Sequence, residues 1–202
     1  MIADVVGISQ STVPRTIAVV EAMLNVVVDD EPPDVDAALR ETTAVIDGTL
    51  LPCWSWADAP ELNSGKHETT GHNCQVLAGL SGRLVHISDP IAGKHHDALA
   101  FRETGLADTL NLSNTLADRA YQGIGMVTPI KKQPGGEHLP DHAKQHNRFV
   151  NTHRYVIERT IAHIKTWQIL HADYRRSLRT FRDAFNAVRG LIFFTRQEAN
   201  FA

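Results

Sequence analysis

Residues 44–49 read AVIDGT, in which three apolar residues are followed by Asp47 and Gly48. A second segment of this kind, LADRAYQG at residues 116–123, places Asp118 at the end of another apolar run and a few residues before a glycine. An apolar run that ends in an acid and a glycine is typical of a strand that ends in a turn. The sequence therefore predicts that both carboxylates stand at strand ends.

A third acid, Glu158, lies in the segment RYVIERTIAHIK, whose pattern is that of a helix. Between residues 151 and 167 the apolar side chains recur at three- and four-residue spacing, as on a buried helix face. Arg154 precedes Glu158 by four residues and Lys165 follows it by seven, so all three share one face. Two interpretations are open: a solvated helix with an Arg154–Glu158 ion pair, or a glutamate that binds metal between cations that bind phosphate.

The chemistry of the three acids favours the second interpretation. Two strand-end carboxylates and one helical carboxylate can converge on one point, and carboxylate oxygens are hard ligands that suit Mg²⁺ or Mn²⁺. Two such ions, roughly 3.5–4 Å apart, would stabilise the attacking and leaving oxygens of an in-line displacement at phosphorus. We therefore predict Asp47, Asp118 and Glu158 as catalytic, metal-binding residues that hold two ions. That chemistry is typical of nucleases and strand transferases.

Together with the segment SGKHETTGHNCQVLAGLSGRLVHISDPIAGKHHDA at 64–98, these motifs resemble a DDE-superfamily transposase of the bacterial insertion-sequence 5 type. The resemblance covers residues 40–195 of the chain. In that family the helix signature is Tyr, two residues, Arg, three residues, Glu, six residues, Lys. Here Asn151 stands in place of the tyrosine, and the other three positions agree. The resemblance implies an α/β fold, namely a ribonuclease H-like mixed sheet flanked by helices.

The family resemblance also implies the activity and the partners. The expected reaction is metal-dependent cleavage of a DNA strand at transposon ends, followed by transfer of the freed 3′ end into target DNA. The expected partner is double-stranded DNA, as terminal inverted repeats and as target, and a homo-oligomer is the expected assembly. Two alternatives stay open: a domesticated metal-dependent nuclease that does not transfer strands, and an inactive DNA-binding remnant.

The charge distribution favours DNA as a partner, although the net charge of the chain is −3. Residues 1–62 carry 2 Lys or Arg against 11 Asp or Glu, whereas residues 119–182 carry 12 against 4. A basic segment around the last two acids is typical of a protein surface that binds the phosphate backbone of a nucleic acid. Solvated surface charge is the alternative. The predicted phosphate contacts are Arg119, Arg154, Arg159 and Lys165, together with Lys66, for which an exposed turn is an equal alternative.

The N-terminal region predicts a helix-turn-helix, with helical segments on either side of Gly7 and a second helix that begins at Ser9. The text GISQSTVPRTI resembles the turn and recognition helix of that motif, which would direct Gln10, Ser11, Thr12 and Arg15 towards DNA. Pro14 should kink the helix because it removes a backbone hydrogen bond. The chain begins inside the motif, so the expectation is an N-terminally shortened copy with only a partial helix-turn-helix; a packing hairpin is the alternative.

Three parts are predicted along the chain: a partial helix-turn-helix at 1–28, an acidic linker with two prolines at 29–38, and the catalytic domain at 39–202. Within the catalytic domain we expect a hairpin turn at 79–82 and a helix that begins at His96 or Asp97. The strands are expected at 43–46, 72–78, 83–88, 115–117 and 126–130. Long helices are expected after residue 142, and a final amphipathic helix or pair at 178–194.

Several other residues have both a functional and a structural interpretation. The pair His95–His96 and Asp97 look like metal ligands, but a helix cap or phosphate-facing loop fits them better. Asp97 ranks below Asp47 and Asp118 as a member of the triad. Trp54 and Trp56 could stack on an unpaired base, although packing within the core or a loop is the better interpretation.

Composition places the chain among ordinary globular proteins. It has 202 residues, of which 43% are hydrophobic and 21% charged, enough for one sizeable core. Cys53 and Cys74 form no metal-binding pattern, and we expect both to be reduced, buried thiols of a cytoplasmic protein. No run of about 18 apolar residues and no basic leader precedes the fold, so neither a membrane nor secretion is predicted.

Overall fold

A computed structural model describes residues 2–28, 34–40, 42–54, 58–132, 135 and 138–198. These residues belong to two compact units, one of Pro32–Arg175 and one that joins Met1–Glu31 to Arg176–Ala202. The helices are α1 (Ile2–Val6), α2 (Thr12–Val27), α3 (Val35–Leu39), α4 (Asp97–Glu103), α5 (Asp141–Ile164), α6 (Gln168–His171) and α7 (Phe181–Glu198). The strands are β1 (Ala44–Pro52), β2 (Asn63–Ser64), β3 (Thr69–Gly79), β4 (Leu84–Ile87), β5 (Ile91–Ala92) and β6 (Thr115–Leu116).

The sheet of the larger unit is mixed, and β1 lies at its centre. β1 pairs with β3 in antiparallel fashion along its whole length and with β6 in parallel fashion at its start. β2, β4 and β5 pair with the other edge of β3, each antiparallel. Helices α3, α4 and α5 pack against these strands. The predicted fold class, an α/β mixed sheet flanked by helices, is confirmed, and the arrangement is compatible with a ribonuclease H-like fold.

The two faces of β1 are covered by different helices. Successive side chains of a strand point to opposite faces. Asp47 faces α5, where it contacts Arg154, whereas a Cβ added at Gly48 would point at Asp97 of α4. The α4 face holds a core cluster that includes Ile46, Leu77, Phe101 and Tyr121. Burial on both faces explains why β1 begins as a continuous apolar run and does not alternate.

Two strand predictions need correction. Asp47 lies inside β1 and not at its end, because the strand continues through Gly48 to Pro52 and stays paired with β3. The predicted strand at 126–130 is wrong: Val127 makes only an isolated bridge to Leu116. β6 is only two residues long, so few of its backbone groups are available to pair with a further strand. Pro129 has no N–H that could donate a hydrogen bond to β6.

The predicted hairpin turn at 79–82 forms between β3 and β4, and α4 begins at Asp97 as expected. Residues 34–38, which fall in the predicted linker, contribute to α3; its N-cap Asp34 accepts from the N–H groups of Asp36 and Ala37, and Leu39 is buried. The other linker residues, 29–33, lie outside the described part of the chain. The three-part division itself stays a prediction. Cys53 and Cys74 are buried free thiols, as expected.

In the smaller unit, α2 packs against α7. The Asn25 side chain donates to the carbonyl of Asp183, and Arg176 pairs with Glu21. α2 begins at Thr12, three residues later than predicted, which places Pro14 in its first turn. A first-turn N–H has no intrahelical acceptor, so the missing donor costs nothing and the predicted kink has no cause. Among the described helices, none is long and apolar enough to cross a membrane.

Candidate active site

Asp47 lies in β1, and Asp118 directly follows its parallel neighbour β6 at the matching position. Val45 of β1 is the register partner of Leu116 of β6, so Asp47 and Asp118 each come two residues later. Asp118 follows the end of β6 and caps a short 3-10 turn by accepting from the N–H of Ala120 at 2.7 Å. Parallel strands carry partnered residues in the same direction, which brings the two carboxylates to one edge of the site.

The surroundings of Asp47 disfavour the charged form of its carboxylate. Burial raises the pKa of Asp47 to about 6; the Arg154 guanidinium opposes this rise, and the charges of Asp118 and Asp97 add to it. Arg154 Nη2 lies 2.8 Å from Asp47 Oδ2, and the N–H of Gly48 donates to Oδ1 at 2.9 Å. A buried carboxylate with two acidic neighbours is a place where added positive charge is favourable.

Helix α5 lies along β1 and contacts it through its cations. Arg154 pairs with Asp47, and Lys165 Nζ donates to the carbonyl of Leu50 at 3.0 Å. Burial lowers the pKa of Lys165. Glu158 stands between these two residues on the same helix face, one turn after Arg154, and its side chain is exposed. The predicted stripe of cation, anion and cation thus faces the strand that carries Asp47.

The donor set fits a hard divalent ion chemically, since it consists of carboxylate oxygens around a site with excess negative charge. In the described part of the chain, however, no three His, Cys, Asp or Glu side chains stand close enough together to hold a metal ion. The structure brings Asp47 and Asp118 together and places Glu158 on the facing helix. The assignment of these three residues as metal ligands stays a prediction.

Asp97 is buried and makes contacts that the sequence does not indicate. His96 caps α4 as expected, accepting from the N–H of Leu99 at 3.3 Å. Asp97 itself is only 3% exposed and is paired with Lys66, whose Nζ lies 2.7 Å from Oδ2. Asn73 Nδ2 donates to the other carboxylate oxygen at 3.0 Å. The available signal was the polar pair Asn73 and Gln75, which precedes the apolar run at 76–78 in strand β3.

The remaining predicted DNA contacts are spread over both units. Arg119 and Arg159 are exposed in the larger unit. In the smaller unit, Gln10, Ser11 and Arg15 are exposed and Thr12 is half-buried; they surround the start of α2, where Arg15 Nε donates to the carbonyl of Ser11. These DNA-binding roles stay predictions.

The two tryptophans differ in what the structure describes. Trp54 is 50% exposed and carries the Arg175 guanidinium 4.9 Å from its ring centroid, so it packs on the surface and not in the core. Trp56 lies outside the described residues.

The chain combines a mixed sheet, whose central strand carries Asp47 and whose neighbouring strand leads to Asp118, with a helix that packs on the sheet and carries Glu158. Residues 46–192 match the family model described as DDE superfamily endonuclease. The chain belongs to that family. It is 33% identical over 132 residues to a protein of Streptomyces albus G named as a transposase for insertion sequence element IS112. It is 35% identical over 104 residues to one of Microchaete diplosiphon named as a transposase for insertion sequence element IS702.

These alignments take in 65% and 49% of the chain, and 50% and 37% of the two relatives. The chain thus spans half or less of the length of the curated relatives it matches. No solved structure matches the chain significantly. The resemblance to the DDE superfamily is confirmed, and the narrower insertion-sequence 5 type stays a prediction.

Proposed function

We propose that this protein is a transposase that cleaves DNA at transposon ends and transfers the freed strand into target DNA. One observation carries the proposal: Asp47 of β1 and Asp118, which follows β6, each come two residues after a pair of register partners in these parallel strands, and α5 carries Glu158 across β1 between two cations. The names of the two relatives support the same reaction.

In the proposed site, Asp47, Asp118 and Glu158 hold two Mg²⁺ or Mn²⁺ ions. When bound, these ions supply the activation of the attacking oxygen and the stabilisation of the leaving oxygen. The protein contributes the fixed register of the first two acids and an exposed glutamate on a helix that packs on β1. Asp47 is 16% exposed, so its charge is poorly screened by solvent and attracts a cation strongly.

The cations of the site position the DNA in this proposal. The residues that contact phosphates are Arg154 and Arg159 on α5, Lys165 directly after it, and Arg119 and Lys66 beside the other acids. Such contacts release counterions, so binding should weaken steeply as salt is raised. Gln10, Ser11, Thr12 and Arg15 at the start of α2 add contacts to the inverted repeat. A homo-oligomer is the proposed assembly on the DNA ends.

The test is cleavage of a duplex that carries the flanking inverted repeat, in Mg²⁺ or Mn²⁺. Glu158→Gln should abolish cutting and leave duplex binding intact, because it removes one ligand charge and keeps the side-chain volume. Glu61→Gln, which neutralises another exposed glutamate of the same unit, is the matched control and should cut normally. Metal-dependent cutting by Glu158→Gln at the wild-type rate would refute the assignment.

A labelled 3′ end tests strand transfer separately from cleavage. Joining of that end to a second duplex supports a transposase, whereas cutting without joining supports a nuclease. If a folded wild-type sample neither cuts nor joins in either metal, the protein is a DNA-binding remnant.

A further inference from the structure

The α4 face of β1 holds a buried polar network that the proposed reaction leaves unexplained. Tyr121 Oη donates to Gln75 Oε1 at 2.6 Å, and Gln75 Nε2 donates to Asn73 Oδ1 at 2.9 Å. Asn73 Nδ2 then donates to Asp97 Oδ1 at 3.0 Å. Gln75 is fully buried, and the network crosses the protein interior from the turn after Asp118 to the start of α4. Buried polar groups are costly unless each is satisfied, so a connected chain of them needs a reason.

The chemistry of the two end residues orients every bond in this network. Tyr121 contributes its single O–H, and a carboxylate such as that of Asp97 only accepts. Each amide between them must therefore turn its NH₂ towards Asp97 and its carbonyl towards Tyr121. The second carboxylate oxygen, Oδ2, accepts from Lys66 Nζ at 2.7 Å. The whole network thus ends on one cation.

Lys66 lies in the turn between β2 and β3, with 57% of its side chain exposed. Burial acts to lower the pKa of its ammonium, but the hydrogen bond and charge of Asp97, followed by the charges of Asp118 and Asp47, outweigh it and raise that pKa. The ammonium therefore stays charged, lies close enough to Asp97, Asp118 and Asp47 to interact with their charges, and is still open to solvent. That is where the phosphate of a DNA strand would approach.

Asp97 contacts the Lys66 ammonium from the face of β1 opposite the Asp47 side chain. An ideal Cβ on Gly48 would lie 2.2 Å from Asp97 Oδ1, so the carboxylate packs directly on the glycine that follows Asp47. Both Asp97 oxygens already have donors, Asn73 on one and Lys66 on the other. Asp97 is thus arranged to hold a cation of the protein.

We propose that Asp97 is a positioning residue, which anchors the Lys66 ammonium beside Asp47 and Asp118 so that Lys66 contacts a phosphate of the bound DNA strand. The proposal rests on the proposed function, since it concerns the same site. Asp97 acts through Lys66 and touches neither DNA nor metal.

The first test observes the ammonium group directly in metal-free protein. A lysine ammonium held in an ion pair exchanges its protons slowly and gives a resolved ¹H–¹⁵N signal, which Lys66→Gln identifies by its absence. We expect this signal in the wild type, a shift on addition of a short DNA duplex, and loss of the signal in Asp97→Asn. Lys94→Gln, which removes an exposed lysine that lines one cavity together with Lys66 and Asp97, should leave the Lys66 signal in place.

The second test is a double-mutant cycle on single-turnover cleavage at saturating duplex and Mn²⁺. Lys66→Gln and Asp97→Asn should each slow cleavage about 100-fold, the usual effect of one lost donor to a developing charge. The double variant should be no slower than either single variant, because both changes remove the same interaction. Mn²⁺ affinity should stay close to wild type in all three, duplex affinity should fall only by the loss of the one Lys66 phosphate contact, and Lys94→Gln should cleave at the wild-type rate.

Three results would overturn the proposal: effects of the two changes that multiply in the double variant, a Mn²⁺ affinity that collapses in Asp97→Asn but not in Lys66→Gln, or a wild-type Lys66 signal that does not shift with DNA. The last result does not need Asp97→Asn, so it decides the matter even where that variant fails to fold. A wild type that never cuts DNA would count against the proposed function, whereas the ammonium signal would still test the positioning role.

Discussion

Asp47→Asn should stabilise the metal-free protein at neutral pH, although it removes a residue of the proposed site. Burial, opposed by Arg154 and reinforced by Asp118 and Asp97, raises the pKa of Asp47 from 3.8 to about 6 in the folded state. At 1.36 kcal/mol per pKa unit, ionising this carboxyl in the folded protein costs about 3 kcal/mol. Asparagine carries no charge and keeps an oxygen that can accept from Arg154, so the variant avoids that cost.

The pH dependence fixes the sign of the effect. A raised folded-state pKa means that the native protein binds the proton more tightly than the unfolded chain does. Below about pH 4 the carboxyl is protonated in both states, and Asp47→Asn and wild type should have equal stability. Between about pH 4 and pH 6 the unfolded chain is ionised while the folded protein keeps the proton, so the wild type loses up to about 3 kcal/mol relative to the variant; above pH 6 both states are ionised and the difference stays constant.

Thermal unfolding in EDTA between pH 4 and pH 8 measures this difference. For a chain of this size, about 3 kcal/mol corresponds to roughly 6–12 °C in Tm above pH 7. Asp108→Asn, which neutralises an exposed carboxylate of the same unit, is the control and should shift Tm little at any pH. An Asp47→Asn variant that is no more stable than wild type at pH 7.5, or one whose advantage does not depend on pH, would refute the reasoning.

Arg154→Gln removes the cation that pairs with Asp47 Oδ2, so the affinity of the DNA-free protein for Mn²⁺ should rise. Arg159→Gln removes an equal charge from the same helix and should change the Mn²⁺ affinity less. Mn²⁺ titration followed by electron paramagnetic resonance compares the two variants. Gly48→Ala should cost more than about 3 kcal/mol in denaturant unfolding, because its Cβ would stand 2.2 Å from Asp97 Oδ1, while Gly65→Ala meets nothing within 4 Å and should fold as well as wild type. Tyr121→Phe leaves the buried Gln75 carbonyl without its donor and should cost about 1–3 kcal/mol by the same assay; equal stability would show that water replaces the hydroxyl.

Local chemistry accounts for the elements that the sequence predicts well. The turn at 79–82 and the start of α4 at Asp97 follow from glycine and capping residues that act within a few positions. The period of α5 is equally local, and it places Arg154 and Lys165 against β1. These features need no knowledge of the rest of the chain.

The errors arise where distant contacts decide the structure. Asp47-Gly48 looks like the end of a strand, yet β1 continues because all nine of its residues pair with β3 and because Gly48 makes room for Asp97. Asn73 and Gln75 are buried polar residues of β3, and their partners come from Asp97 and from Tyr121, 46 residues beyond Gln75. Neither pairing leaves a local pattern in the sequence.

Because Asp97 packs directly on Gly48, the sizes of the side chains at these two distant positions of the chain depend on each other. Position 48 can acquire a side chain only if position 97 gives up its carboxylate or α4 moves away. In variant libraries of this protein selected for folding, a substitution at position 48 should therefore be tolerated only together with a smaller residue at position 97. The glycine after the first acid of the site is in this sense as much a part of the Lys66 anchor as Asp97 is.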